Sequence, residues 1–525
     1  MDFKKINPVT AGLAPTTPQT SDTPHPADGD AAANTIAPLQ FVVTLIPDTR
    51  DRAARPNRLN ALYIRLIGLL LLIIPVPLGS HRPVPWALWA LVVSGLVLAF
   101  VIRLLVSEPD RKLRSIAHRD LLLIALVMPL FAAAQLLPLG HLVPGAFPPE
   151  LAPDTITLSA SATLLALLRL MTYAGLFVLT LEVCTRPERV RQLAQTIFYG
   201  LTAHAIIAMI SLNILGDRFL WGEKTTYLGW ATGTFVNRNS FASFMGLGII
   251  TGLALLMAHR QNAPRPRRSA QLSLFSPQAV TTGGYWVCLS LMATALVASG
   301  SRMGVTATVT GAAITLICMS ALATPPSRNA PSTRGHHRSR TRSRARHWRT
   351  GIVSLVIVAA LAMVLLSQNI GERLIFSAGD LDSRLALYHA VWDLILTRPW
   401  TGYGLDTFQL AFPLVHDERV SSAYIWDLTH NSYLMLWVEL GLIAGSAPLI
   451  ALAGAALCLI RTLRRAAGTD PDTGPAIAIA LGALGLAATH SLLDFSFEIE
   501  ANTVLLVVMI AMGLSQTKRA KRTPS

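Results

Sequence analysis

The sequence predicts an all-α integral membrane protein with about twelve transmembrane helices. Three observations predict it. Hydrophobic residues make up 52% of the 525 residues and charged residues only 14%, too little charge to cover a soluble surface of this size. The mean hydropathy is +0.48. The basic residues stand in short clusters that alternate with long apolar runs.

Apolar runs of about 17 to 25 residues cross a bilayer as helices. They occur at 61–79, 85–107, 120–138, 163–184, 191–214, 239–258, 283–299, 303–323, 351–367, 431–460, 475–490 and 500–515. The run 431–460 exceeds what one span needs, which implies strong tilt or a break near Gly441 and Gly445. Arg50, Arg52, Arg55 and Arg58 precede the first run, and Arg111, Lys112, Arg114 and Arg119 follow the second. Arg186, Arg189 and Arg191 follow the fourth, and Arg260, Arg265, Arg267 and Arg268 the sixth. The stretch SRNAPSTRGHHRSRTRSRARHWR follows the eighth, Arg461, Arg464 and Arg465 the tenth, and KRAKR the last. The intervening connections are poor in Lys and Arg, and 139–162 has none. The positive-inside rule then puts both termini and every even-numbered loop in the cytoplasm. Residues 1–59 read as a disordered cytoplasmic tail and 516–525 as a basic cytoplasmic one, with no cleavable signal peptide at the start.

A net charge of +15 raises the question of nucleic acid. The clusters serve topology instead, and no zinc, helix-turn-helix or RNA-binding signature accompanies them. The insert 324–350 reads as a disordered cytoplasmic loop that fixes orientation, with His336, His337 and His347 solvated; binding to anionic lipid is the competing reading. Cys184, Cys288, Cys318 and Cys458 lie in apolar runs without a CxxC pair and read as small buried hydrophobes. No Walker, Rossmann or HExxH motif occurs, and no cofactor is expected. Asp380 and Asp382 in GDLDSR are a weak candidate metal pair, better read as a solvated turn.

The outer side carries polar residues that simple connectors do not need. GTFVNRNSFASF places Asn237, Arg238 and Asn239 at the entrance of the sixth span. ASGSRMGV places Arg302 in a very short turn, and DLDSRLALYHAVWDLI places Arg384 in a helix whose apolar stripe suits a membrane surface. THSLLDFSFEIEAN adds His490 and Asp494. His430 and Asn431 open LTHNSYLMLWVELGLIAG, with Glu439 inside, about 13 Å below the entrance at 1.5 Å per residue along a straight helix. Each polar group has two readings. Arg302 is either a snorkelling side chain or, because outer-face arginines run against the topological bias, a bidentate partner for an anion such as phosphate. Arg384 and Arg238 divide evenly between an interfacial and an anion-binding role. His430 is either a helix cap or a base suited to proton transfer near neutral pH.

HNSYLMLWVELGLIAG, with SGSRMG, SRLALYHAVWDLILTRPWTGYGLDTF and HSLLDFSFE in the same order, resembles the O-antigen ligase (Wzy_C) family over roughly 220–515. The resemblance implies a GT-C-like glycosyltransferase architecture, metal-independent, with one large periplasmic loop at 368–430 and the active site at the periplasmic face of the bacterial inner membrane. It implies a glycan donor on undecaprenyl diphosphate and, as acceptor, lipid A–core for a ligase or a growing polysaccharide for a polymerase. It implies Arg302 and Arg384 on the donor diphosphate and His430 as base, with Arg238, Asn431, His490 and Asp494 as accessory residues and no metal. Residues 60–219 then form an amino-terminal set of spans beside the 220–515 domain. A secondary transporter or flippase is the less favoured alternative, since no repeat between halves is evident and the polar residues gather on one side. A non-enzymatic scaffold ranks below it. Reporter tags inserted after Arg334 and after Pro413 should report opposite compartments, the first cytoplasmic; both on one side would overturn the topology.

Overall fold

In a computed structural model of the chain, residues 49–140, 154–220, 222–262, 276–322, 370–416, 420, 426–466 and 472–517 are described, the side chains of 49–57 and 370–382 excepted. Contacts divide the chain after Ala53. Of the first unit only the start of the first helix is described; the second unit, Ala54–Ser525, holds all the other elements. The expected ninth span at 351–367, the basic insert 324–350, most of the amino-terminal tail and nearly all of 516–525 lie outside the described residues, as do the side chains of Asp380 and Asp382.

The described elements are helical and, apart from one isolated bridge between Phe219 and Gly222, no strand pairing occurs among them. In chain order they are α1 Thr49–Ile73, α2 Pro83–Ser107, α3 Arg119–Ala134, α4 Ala160–Val183, α5 Pro187–Asn213, α6 Arg238–Asn262, α7 Pro277–Ala298 and α8 Arg302–Leu322. Then come α9 Ile370–Thr397, α10 Phe408–Ala411, α11 Ser432–Ala466, α12 Gly474–His490 and α13 Glu500–Ser515. Eleven of the twelve apolar runs coincide with helices. Several helices start earlier than the apolar residues alone indicate, because polar caps and prolines set the first turn. Ser159 accepts from Ala162 N–H ahead of α4, Ser276 accepts from Ala279 N–H ahead of α7, and prolines open α2 and α5.

Among the described residues eight helices are long and apolar enough to cross a membrane, and α12 and α13 are shorter apolar helices. The outer surface agrees with a lipid solvent. Val84, Leu91, Leu105 and Val106 are each more than 70% exposed, which would be an aggregation hazard in water. The chain is a multi-pass membrane protein. Helix α6 is the axis of the bundle, buried along nearly its whole length, whereas α2 and α3 lie at the periphery. Small residues let the central helices approach. A Cβ on Gly482 of α12 would strike Thr315 Oγ1 of α8 and come within 2.9 Å of Gly311 O, and one on Gly246 of α6 would meet Thr308 and Leu486.

The connections sort to two ends. At one end Arg103 pairs with Glu108 at 2.7 Å and with Asn60 at 2.8 Å, and Gln516 Nε2 donates to Cys184 O at 2.7 Å. Thr517 meets His118 at 3.2 Å there, which ties the first helices to the end of α13. The connections expected on the outer side gather at the other end. Gly79 packs on Phe235 and Ile499, and Thr157 N–H bonds to Gln135 O at 3.0 Å. Ala231 N–H bonds to Ala298 O at 2.9 Å. Cys184 and Cys318 are buried and Cys288 and Cys458 half-buried, all as free thiols.

The long run is broken, as its length implied. Gly441 sits at φ 71, ψ 170, so α11 is two helices meeting at a bend. Glu439 lies two residues before the bend, beside Gln135 just after α3. The α9 stripe is also reassigned. Leu387, Ala390, Val391, Leu394 and Ile395 pack on Tyr403, Phe408, Phe412, Met435 and Val438, so protein covers the face expected to lie on the membrane. Leu385, Trp392 and Leu396 remain exposed.

The central packing yields a paired test. Gly482→Ala should destabilise the detergent-solubilised protein by about 1–3 kcal/mol through overpacking. Gly283→Ala, where a Cβ meets nothing within 4 Å, should be neutral or slightly stabilising. Thermal unfolding of the two variants side by side checks this.

Candidate active site

The site is built on the turn that follows α12. Its carbonyls collect side chains from two other segments, α9 and the start of α11. Arg384 Nη1 donates to Leu493 O at 2.7 Å, and Asn431 Nδ2 donates to Leu492 O at 3.1 Å. Tyr388 Oη–H bonds to His430 O at 2.9 Å and reaches Leu492 O at 3.4 Å. Burial pushes the Tyr388 phenol up to about 12, so it stays a donor at neutral pH. Ser432 N–H bonds to Ser491 O at 3.1 Å, fixing the start of α11 against the same turn.

The helix cap at α11 is Asn431, not His430. Asn431 Oδ1 accepts from Tyr433 N–H at 2.9 Å and from Leu434 N–H at 3.1 Å. His430 precedes the cap with φ 53, a left-handed conformation that costs a non-glycine residue of order 1–3 kcal/mol. Its ring stands edge-on to Phe495, 5.0 Å between centroids, and to Trp426 at 6.0 Å. The imidazole is half-buried in an aromatic slot and does not serve the helix end.

Asp494 is buried on the same turn. It accepts from Asn239 Nδ2 at 2.6 Å and from Ser496 Oγ at 2.6 Å, and His490 Nδ1 lies 3.8 Å away. Asn239 thereby brings the start of α6. Arg238, the first residue of α6, lies over Trp230 at 5.0 Å and Tyr227 at 5.6 Å. Tyr227 is within electrostatic range of Asp494, Arg238 and Arg384 together. The loop carrying these rings is pinned by Lys224, whose Nζ donates to Asp217 at 2.7 Å and to Trp230 O at 2.6 Å.

Arg384, His430, Asn431, His490 and Asp494 are thus brought onto one turn, with Arg238 beside them. Arg302 is joined less directly. It is the exposed first residue of α8, after a turn in which Gly300, at φ 63, packs against Trp230 with no room for a Cβ. Trp230 thus touches both the turn that precedes Arg302 and the Arg238 guanidinium. Among the described residues no group of three His, Cys, Asp or Glu side chains could hold a metal ion.

The bend in α11 supports this floor from behind. The loop RPWTGYG lies across it: Leu442 N–H bonds to Pro399 O at 2.8 Å, Tyr403 N–H to Val438 O at 3.0 Å and Gly404 N–H to Glu439 O at 3.0 Å. Gly402 and Gly441, both at positive φ, have no space for a Cβ against each other's strands. The Glu439 carboxylate accepts from Thr407 N–H at 3.1 Å and Phe408 N–H at 3.4 Å, capping α10, while Gln135 Nε2 bonds to Glu439 O at 2.7 Å. Glu439 is a structural clasp.

Tyr388 joins the site although its sequence position marks it only as part of the apolar stripe. Its place four residues after Arg384 on one helix face is the signal that could have found it. Nothing in the spacing announces Trp230 as a shared platform or Gln135 as partner of the bend.

Residues 287–449 match the Wzy_C family model, described as O-antigen ligase. The matched stretch runs from α7 to the bend in α11 and holds Arg302, Arg384, His430, Asn431 and Glu439. No curated protein matches the chain. The Wzy_C segment therefore supports membrane chemistry of the O-antigen ligase and polymerase type and a place in lipopolysaccharide biosynthesis.

The division of labour between neighbours His430 and Asn431 is testable. Asn431→Ala should cost about 1 kcal/mol of stability through the lost cap, and Asn431→Asp should retain it. His430→Phe, which keeps the ring contacts to Phe495 and Trp426 and removes both ring nitrogens, should leave thermal stability within about 0.5 kcal/mol. Melting curves on purified protein that reverse this order would return the cap to His430.

Proposed function

We propose that this Wzy_C protein is a glycosyltransferase of the bacterial inner membrane, GT-C-like in architecture, with both termini cytoplasmic and its site at the periplasmic face. It transfers a glycan from undecaprenyl diphosphate to an acceptor hydroxyl, with lipid A–core as the acceptor. A polymerase of the same family would use the same donor and differ in taking a growing polysaccharide as acceptor. The observation that carries the reading is His430, relieved of capping by Asn431 and held beside the turn that binds Arg384.

The chemistry follows from these groups. His430 accepts the proton of the acceptor hydroxyl as its oxygen bonds to the anomeric carbon of the donor sugar. The bond from that carbon to the diphosphate breaks, and undecaprenyl diphosphate leaves with the electron pair. Arg384 and Arg302, with Arg238 alongside, stabilise the charge developing on the leaving diphosphate, a task that guanidinium groups perform bidentately. His490 and Asp494 hold Asn239 and the turn in register. The imidazolium then returns its proton to water.

His430→Gln keeps size and hydrogen bonding but takes no proton at neutral pH, so transfer should fall by about 10²–10⁴-fold. Arg302→Ala should lower transfer by roughly 10²–10³-fold, and Arg302→Lys should restore only part of it. The assay is transfer of radiolabelled glycan from a synthetic undecaprenyl-diphosphate donor by purified protein. Near-normal transfer by well-folded His430→Gln would remove the base from the mechanism.

A further inference from the structure

Helices α1 and α5 run parallel and in register. A Cβ on Gly68 would come within 2.9 Å of Thr196, and one on Gly200 would strike Leu72. One turn beyond Gly200, His204 Nε2 meets Leu72 O at 3.1 Å. Steps of four residues on both helices keep these contacts on one seam. Beside the seam lies an open groove of about 550 Å³. Leu72 lines it from α1, and Gln192, Gln195, Tyr199 and Ala203 line it from α5. The surface around it faces lipid, with Leu62, Leu69, Ile73 and Ile206 exposed.

Two features set this groove apart from an ordinary seam. The first is its amides. Among the described residues, the side chains of Gln192 and Gln195 bond to no other protein group. Amide donors that face hydrocarbon are costly unless a polar partner comes to them. The second is charge. Arg65 stands exposed inside the apolar run of α1, seven residues before Leu72 and so on the same helix face. Arg191 is exposed one turn before Gln195 on α5. Counted back from the Gly68–Thr196 contact, both lie toward the end where Asn60 of α1 holds Arg103, opposite the candidate active site. Among the described residues no carboxylate pairs with either arginine, and Glu188, exposed three residues before Arg191, pairs with neither. A lipid-facing arginine without a protein partner takes its counter-charge from elsewhere, and basic pockets between helices at that level hold lipid phosphate.

We propose that the α1–α5 groove binds one anionic glycerophospholipid. Its phosphate lies between Arg65 and Arg191, its ester oxygens take the Gln192 and Gln195 amides, and an acyl chain follows Leu72, Tyr199 and Ala203. Guanidinium groups suit a phosphate by their paired N–H donors. A zwitterionic lipid would bring its ammonium group toward both arginines. The carrier diphosphate is required at the other end of the bundle, beside Arg384, so it is not the occupant. The site stands apart from the glycan-transfer groups and does not depend on their assignment.

Native mass spectrometry of the full-length purified protein tests it. The protein is titrated separately with phosphatidylglycerol, with phosphatidylcholine of the same acyl chains, and with undecaprenyl phosphate. One phosphatidylglycerol per chain should be retained at least about tenfold more tightly than phosphatidylcholine, the scale of two basic residues meeting one anionic headgroup. Arg65→Gln and Arg191→Gln should each weaken it roughly fivefold. Both arginines are exposed, so these variants fold. Ala203→Trp, also at an exposed position, fills the groove and should abolish retention. Arg464→Gln, exposed in the last turn of α11, should leave it within about twofold. No retained phosphatidylglycerol, or equal retention of phosphatidylcholine, means that the arginines are merely hydrated and overturns the site. Equal loss with Arg464→Gln marks a general basic surface and overturns it as well. Retention by Ala203→Trp puts the lipid outside the groove and contradicts the proposal. Undecaprenyl phosphate binding more tightly than phosphatidylglycerol would make the groove a carrier site and overturn the assignment.

Discussion

Two backbone carbonyls, those of Leu492 and Leu493, hold the candidate site together. They are able to accept from side chains because the turn after α12 is irregular and has no ladder or helix to spend them on. Arg384, Tyr388 and Asn431 take them up, so a helix from the matched Wzy_C segment and the start of α11 are both referred to one carboxy-terminal turn. Asp494, on the same turn, adds the start of α6 through Asn239. Groups from distant parts of the chain thereby share one frame of reference, which is what charge stabilisation by pre-placed donors requires.

The loop behind the site depends on the bend at Gly441. A straight α11 would spend Val438 O and Glu439 O on its own N–H groups and leave the loop 399–407 without these acceptors. The bend instead offers Val438 O and Glu439 O to the loop and lets Glu439 cap α10. The loop covers the apolar stripe of α9, and from the same helix Tyr388, packed at the edge of that cluster, and Arg384 reach the turn after α12. The backbone groups exposed by the bend are thus taken up by the loop.

Much of this was legible in the sequence. Apolar length marked the helices. The break in the long run was legible from Gly441. What spacing could not reach was the pairing of partners far apart in sequence, such as Asn239 with Asp494 or Gln135 with Glu439. His430 and Asn431 illustrate the limit. Both fit a helix cap by type, and only the direction of the Asn431 side chain separates the capping residue from the imidazole beside it. Arg384 stayed evenly divided for a similar reason: an amphipathic helix carries arginines anyway, and its carbonyl partner comes from a turn more than a hundred residues later. Arg169 has no signature in the sequence, because an arginine inside an apolar run reads as an isolated cost until its guanidinium is seen over Trp86 with Nη2 on Glu498 O.

Seating of α11 on the turn is the premise on which the gathered site rests. Ser432 N–H and Ser491 O are 3.1 Å apart, a backbone contact that brings the two residues within disulfide reach. The direct measurement is oxidative cross-linking of a Ser432→Cys, Ser491→Cys pair in native membranes, with the four natural cysteines replaced by alanine. A rapid, reductant-reversible intramolecular cross-link is the expected result, and a control pair of Ser432→Cys with Ser290→Cys should stay reduced. No cross-link above that control would contradict the account, because the turn would then not gather His430, Arg384 and Asp494 into one site.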